Sequence, residues 1–401
     1  MGMMKICVQD LAVFGGAPAF SEKLHVGCPN IGDKKLLMER INDILDRRWL
    51  TNDGPYVQRF EYEVAELVGV KHCIAVCNGT MALELAIRAM DLTGEVIIPS
   101  FTFIATAHAL WWQGIRPVFC DIDPATHNID PRRIEEKITL HTSAIIGVHV
   151  WGRPCDVETL TEIAQEHELR LMFDAAHAFD CSYQDRMIGS FGDAEVFSFH
   201  ATKFLNTFEG GAVVTNDDDL ATRIRLMRNF GFAGEDNVVC VGTNGKMNEV
   251  SAVMGLTGLE SLEEFIAVNH CNYGLYRHLL EDIPGIQFVA YDEAEQNNYQ
   301  YIVLEIDDRI IQISRDQLVE ILRAENVLAR RYFYPGCHRM EPYCSYFTHA
   351  ELFLPETERL VERVLCLPTG TAVGVEEIRE VCQIIRFVVE HGAEIRSRLQ
   401  V

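Results

Sequence analysis

His72-Cys73-Ile74-Ala75-Val76-Cys77-Asn78-Gly79-Thr80-Met81-Ala82-Leu83-Glu84-Leu85-Ala86 is the stretch whose reading decides the fold. His72 to Val76 is an almost unbroken apolar run, Asn78-Gly79-Thr80 turns the chain, and Ala82 to Met90 carries a helical pattern. A strand that is apolar on both faces and passes at once into a helix is the unit of a parallel sheet covered on both sides. The same rhythm recurs downstream. Glu95 to Ile98, Arg116 to Phe119, Ser143 to Val150, Arg170 to Phe173, Glu195 to Phe199 and Gly211 to Thr215 read as strands. Phe103 to Gln113, Pro131 to Lys137 and Val157 to Glu168 read as the helices between them. The fold class is therefore α/β, with a mostly parallel sheet between helices. In such sheets ligands sit at the carboxyl ends of the strands.

Upstream, Leu37, Ile41, Ile44 and Leu45 recur at helical spacing between Asp33 and Trp49, Thr51 to Pro55 breaks the chain, and a second helix is expected from Val57 to Val68. Downstream, Glu249 to Ile266 reads as one long bridging helix. Tyr301 to Ile306 then reads as a strand, Arg315 to Glu325 as a helix, and Ile378, Val381, Ile385 and Val388 as the buried face of a C-terminal helix. A length of 401 residues suits two domains. The boundary is placed near residue 260: a large α/β domain over 1–260, whose N-terminal segment can pack on a smaller α+β domain over 261–401.

Charge and composition narrow the partners. Lys and Arg number 35 against 59 Asp and Glu, a net charge of −24, so the chain has no spare cations with which to hold a nucleic-acid backbone or an anionic membrane. Hydrophobic residues at 48% and charged residues at 23% are globular values. No run of about 18 apolar residues is present to span a bilayer, and no signal peptide is recognised at the N-terminus. Thirteen cysteines, an odd number without metal-type pairing, read as reduced thiols in a cytoplasmic protein. No metal site is expected. The glycine-rich dinucleotide fingerprint, the P-loop, His-Glu-x-x-His and Gly-x-Ser-x-Gly are all absent from the sequence.

Three strand-end motifs remain. Asn78-Gly79-Thr80 opens a helix, where free amides suit a phosphate and equally suit an unliganded cap. Asp174 in Asp174-Ala175-Ala176-His177 leaves an apolar strand, and needs either a cationic partner, such as a protonated pyridine nitrogen, or backbone amides. Lys203 in Ser198-Phe199-His200-Ala201-Thr202-Lys203 lies before the glycines of Glu209-Gly210-Gly211; desolvation there would make a nucleophilic amine, whereas a surface loop would leave an ordinary lysine. Their order decides. A phosphate turn, an Asp, and then a Lys with a Ser five residues before it together match a pyridoxal phosphate site.

With these segments, and with Trp49 to Pro55, Phe60-Glu61, Pro99 to Phe103, Asp121-Ile122-Asp123, His149 to Pro154, Arg228-Asn229-Phe230-Gly231 and Gly242 to Met247, the chain resembles the DegT/DnrJ/EryC1/StrS sugar aminotransferases. These belong to the aspartate aminotransferase fold type I class, and the resemblance covers nearly the whole chain. It implies that Lys203 captures the cofactor aldehyde and moves protons, and that Asp174 holds the pyridine nitrogen protonated. Gly79, Thr80 and Ser198 hold the phosphate, His177 meets the ring 3-hydroxyl, Phe103 stacks on the ring, and Asn244 reaches the phosphate of a neighbouring subunit in a homodimer. Thr51, Arg228, Tyr334 and His338 are implied to bind substrate. Phe173 departs from the acidic residue many relatives carry there, and Asn78 from a common Ser.

The implied reaction takes an amino group from L-glutamate and gives it to a nucleotide-linked ketosugar. The best match is dTDP-4-keto-6-deoxy-D-glucose aminated at C4, as in antibiotic and surface-polysaccharide pathways. A 3-ketosugar or a GDP- or UDP-sugar is the alternative within the family. A sugar dehydratase or a non-catalytic regulator is the alternative of another class, and Lys203 stands where the dehydratases carry His.

Overall fold

The computed structural model describes residues 5–399. Seven strands form the central sheet in the order His72–Val76, Gly211–Thr215, Ala194–Ser198, Arg170–Asp174, Thr142–Val148, Glu95–Pro99, Arg116–Cys120. All neighbours are parallel except that Gly211–Thr215 runs antiparallel to both of its own. Alternate side chains feed two cores. Ile97, Phe173 and Phe197 pack on one face with Phe60, Val64 and Leu160. Val96, Ile98, Met172 and Val196 pack on the other with Ala82, Ala86, Leu110 and Ile224. Burying each large side chain contributes about 1.5–3 kcal/mol, which is why these strands tolerate almost no polar residue before their carboxyl ends.

A second unit holds the antiparallel strands Ile286–Phe288, Ile302–Ile306 and Val364–Leu367. Its core joins Tyr273 and Tyr276 of helix Leu262–Leu280 to Ile378, Val381 and Ile385 of helix Val375–Glu390. Val8 and Leu11 belong to this core, and Leu24 and His25 pair in parallel with Val327 and Leu328. The N-terminal segment thus starts on the small unit and crosses to the large one, where the Asn30 side chain donates to Phe204 O at 3.1 Å.

Two expected helices differ. The single helix over 249–266 is two, Glu249–Leu259 and Leu262–Leu280. Ser261 leaves helical geometry at φ −115°, ψ 9°, and its hydroxyl donates to Thr257 O, a local bond that competes with the helical ladder. Over 131–137 the chain forms two short 3₁₀ turns, Pro131–Arg133 and Glu135–Lys137, rather than a helix. A further helix, Asp218–Met227, was not foreseen; it is capped by the Asp217 carboxylate on Asp219 N and Leu220 N.

Candidate active site

Where the strands end, a cavity of about 650 Å³ opens between the two units. Gly79, Thr80, Phe103, Asp174, His177, Ser198 and Lys203 all line it. The reversal of Gly211–Thr215 brings this about locally: the chain leaves Ala194–Ser198, forms the loop carrying Lys203, and re-enters the sheet at Gly211 beside Ser198. Gly211 abuts Asn78 and Gly79 so closely that a Cβ there would lie 2.8 Å from Gly79 N.

Helix Gly79–Ala89 shows that cap and cradle coexist. The Asn78 side chain accepts from Met81 N at 2.8 Å. Among the described residues the amides of Gly79 and Thr80 have no acceptor, as expected of a first helical turn. A Cβ on Gly79 would lie 2.8 Å from Ser198 Cβ and 3.0 Å from its Oγ, so the glycine leaves room for an anion between free amides and a hydroxyl.

At the other end of the cavity, Asp174 is buried at the tip of its strand. Its Oδ2 accepts from Thr106 Oγ1 at 2.8 Å and its Oδ1 from Ala176 N at 3.2 Å. Burial raises its pKa, and the bonds from Thr106 and Ala176, then the charge of Lys203, pull it back. Lys203 keeps some surface in the cavity yet is hemmed in by protein. Desolvation lowers its pKa from 10.5 to about 8, opposed by Asp174. The loop thus supplies an amine that loses its proton near neutral pH, the property an aldehyde-capturing lysine requires. Burial, then the nearby Lys203 charge, keeps His177 neutral. Its Nδ1 accepts from Trp151 N at 3.3 Å, which leaves the Nε2 proton free to donate into the cavity. Its ring lies between Tyr301, Trp151 and Phe333.

A phosphate cradle, a buried carboxylate, a neutral imidazole donor and a low-pKa amine line one cavity, and the DegT/DnrJ/EryC1/StrS aminotransferase family matches residues 32–386. The chain belongs to this family. It is 38% identical over 365 residues to a dTDP-4-amino-4,6-dideoxy-D-glucose transaminase of Shigella dysenteriae, spanning 91% of this chain and 99% of that protein. It is 34% identical over 331 residues to a GDP-perosamine synthase of Caulobacter vibrioides, spanning 81% and 88%. Among solved structures, DesI in the presence of its TDP-sugar product superposes with a TM-score of 0.95 at 51% identity, covering 98% of this chain and all of DesI. The chain is accordingly an aminotransferase of fold type I and its cofactor is pyridoxal 5′-phosphate, which the donor set fits end to end.

Not every expected residue of this DegT/DnrJ/EryC1/StrS member reaches the cavity. Arg228, expected to bind substrate, lies outside the lining: the side chain is buried, bonded to the Glu61 carboxylate and Ala75 O, with Asp53 at 3.1 Å. His338 also lies outside the lining. It is buried between Ser100 Oγ at 2.7 Å and the Glu358 carboxylate, and ties the small unit to the end of strand Glu95–Pro99. Tyr334 lies outside the lining, its ring beneath the guanidiniums of Arg331 and Arg315. Thr51 is exposed on the turn between the first two long helices, also outside the lining. Asn244 is exposed in the loop after Asp218–Met227, its oxygen accepting from Lys246 Nζ at 2.7 Å, and is no part of this chain's own cavity.

Other residues also line the cavity, and two of them, Arg330 and Tyr332, open the segment Arg330 to His338 that the resemblance implies as a wall of the sugar pocket. His25, Cys28, His200, Glu209, Arg330 and Tyr332 line the cavity. Among the described residues no carboxylate pairs with Arg330, which stacks on Tyr332 at 5.1 Å. A buried carboxylate lies beside Phe173 on the neighbouring strand. Glu195 is the register partner of Phe173; it is fully buried, accepts from Gly189 N and Phe191 N, and lies 3.3 Å from His149 Nε2.

Proposed function

We propose that the chain catalyses amination of dTDP-4-keto-6-deoxy-D-glucose at C4, with L-glutamate as donor and 2-oxoglutarate as co-product. The observation that carries this reading is the 51% identity to DesI, solved with its TDP-sugar product, over 98% of the chain. The name of the Shigella dysenteriae relative agrees. The GDP-perosamine synthases favour one second reading, a GDP-linked acceptor.

Pyridoxal 5′-phosphate, when bound, supplies the carbon that carries the amino group between donor and acceptor and the ring that accepts the electron pair. Gly79 and Thr80 amides and the Ser198 hydroxyl would hold its phosphate, Asp174 would pair with its ring nitrogen, His177 Nε2 would donate to its 3-oxygen, and Phe103 would cover a face. Lys203 Nζ would carry a proton from the donor's Cα to the cofactor carbon in the first half, and from that carbon to C4 of the sugar in the second. Both directions demand a pKa near working pH, and about 8 meets that demand. Arg330, at the cavity rim and without a carboxylate partner, suits the diphosphate.

A homodimer completes the site in this reading. Phe230, Phe232, Val238, Val239 and Val241 are exposed on the same loop as Asn244, an apolar face suited to a second copy that would bring Asn244 toward its phosphate. Among the described residues no helix is long and apolar enough to cross a membrane, and a cytoplasmic biosynthetic role fits the small-molecule substrates. Incubation with L-glutamate and a panel of dTDP-, GDP- and UDP-ketosugars, with NMR of the product, tests the assignment. An amino group at C3, or acceptance of the GDP-sugar alone, would overturn it.

A further inference from the structure

The carboxylate assigned to the cofactor ring is itself held by a buried hydroxyl. Thr106 Oγ1 donates to Asp174 Oδ2 at 2.8 Å, and Thr102 Oγ1 lies 3.1 Å from Thr106 Oγ1. Thr106 is fully buried and Thr102 nearly so. A hydroxyl has one proton, and a carboxylate can only accept; with the Thr106 proton on Asp174, Thr102 must be the donor to Thr106. The direction of the chain is therefore fixed: Thr102, Thr106, Asp174.

A helical threonine ordinarily back-bonds to the carbonyl four residues earlier, here Thr102 O. That carbonyl receives Cys337 Sγ at 3.4 Å, and Thr106 is turned to the strand end instead. We propose that Thr106, backed by Thr102, is a positioning residue that holds the Asp174 carboxylate in the plane and charge state from which it keeps the cofactor's ring nitrogen protonated. Ala176 N fixes Oδ1 and Thr106 fixes Oδ2, so the plane cannot rotate. Charge follows from the same bonds. Burial favours the neutral acid, and the Thr106 hydroxyl is the largest influence against it. The titratable side chains nearest the carboxylate are Lys203 and His149, the latter facing Glu195 at 3.3 Å. A protonated Asp174 would leave the ring nitrogen without its counter-charge.

The inference rests on the assignment of Asp174 to the ring nitrogen, and the experiment separates the two. Apoprotein variants are titrated with pyridoxal phosphate by absorbance and fluorescence, and the visible absorbance of each holoenzyme is followed against pH. Thr106→Val keeps the shape and removes the proton; it is expected to weaken cofactor binding by about 10- to 100-fold, the usual worth of a hydrogen bond to a charged group, and to move the pH profile. Thr106→Ser restores both to within about 3-fold, and Thr102→Val gives a smaller loss in the same direction. Asp174→Asn is the control and loses more than any. If Asp174→Asn is impaired but Thr106→Val matches the parent, the inference fails and the Asp174 assignment stands. If Asp174→Asn also matches the parent, the assignment fails first. Thr106→Ser as poor as Thr106→Val would make the methyl, not the hydroxyl, the important group, and overturn the inference. Should Thr106→Val not fold, Thr102→Val decides: parent-like affinity and pH profile refute the directed chain.

Discussion

The Lys203 amine sets a pH profile that the apoprotein must show before any sugar is added. Its pKa falls from 10.5 to about 8 because protein replaces water around the ammonium, with Asp174 opposing the fall. At pH 7 a group at about 8 is about 10% neutral, whereas an exposed lysine is about 0.03% neutral, a factor of about 300 in nucleophile. Capture of pyridoxal phosphate, followed by stopped-flow absorbance from pH 6 to 10.5, should therefore rise about tenfold per unit below pH 8 and level off above it. Dividing each rate by that for N-acetyl-lysine methylamide or a similar free amine cancels the cofactor's own ionisations, and the quotient should fall from about 300 toward a constant as the reference amine catches up. The stability consequence has a definite sign. Between about pH 8 and 10.5 the folded apoprotein binds fewer protons at this site than the unfolded chain, so stability contributed by Lys203 rises with pH through that window. A capture rate still climbing tenfold per unit beyond pH 9.5 would refute the desolvated-amine reasoning.

Gly79→Ala places a Cβ 2.8 Å from Ser198 Cβ in the phosphate cradle, and should raise the dissociation constant of pyridoxal phosphate by about tenfold or more, read by equilibrium titration. Arg228→Leu strands the buried Glu61 carboxylate; thermal melting should show a loss of several degrees, from about 3–5 kcal/mol, with KM for the nucleotide sugar unchanged. A stable Arg228→Leu with a raised KM would reinstate a substrate role. Arg330→Gln should raise KM for the nucleotide sugar about tenfold while kcat holds, and salt should weaken the parent's binding toward that of the variant.

The strands were legible because burial on both faces leaves an apolar run that little else produces; Arg170–Asp174 is typical, four residues of strand and then a carboxylate that has to mean something. Direction was not legible. Gly211–Thr215 reads the same forwards and backwards, and only its partners show that it is reversed. The unforeseen helix Asp218–Met227 did carry a signal, an Asp cap followed by buried Leu220, Ala221, Ile224 and Met227, masked by its four charged neighbours Asp218, Asp219, Arg223 and Arg225. Lys203, Asp174 and Gly79 were legible through their order along the chain, since each alone has an ordinary structural reading. The surroundings of Arg228 and His338 were not legible for a related reason. Each looked like a free functional group, and the carboxylate that occupies it, Glu61 or Glu358, lies on a different element whose proximity no local pattern encodes. Thr106 was silent, since a threonine near a helix start has ordinary reasons to be there.

The N-terminal crossing segment has a mechanical meaning. Leu24 and His25 are stitched to Val327 and Leu328 on the small unit, while Asn30 is stitched to Phe204 and Asn206, directly after the reactive lysine. The few residues between, His25 to Pro29, form part of the cavity wall. The wall of the cavity is thus tethered at both ends, to the small unit on one side and to the lysine loop on the other. Grafting a relative's small unit alone would break the pairing at Val327 and Leu328; exchanged together with residues 24–30, it would carry its own cavity wall across as one part.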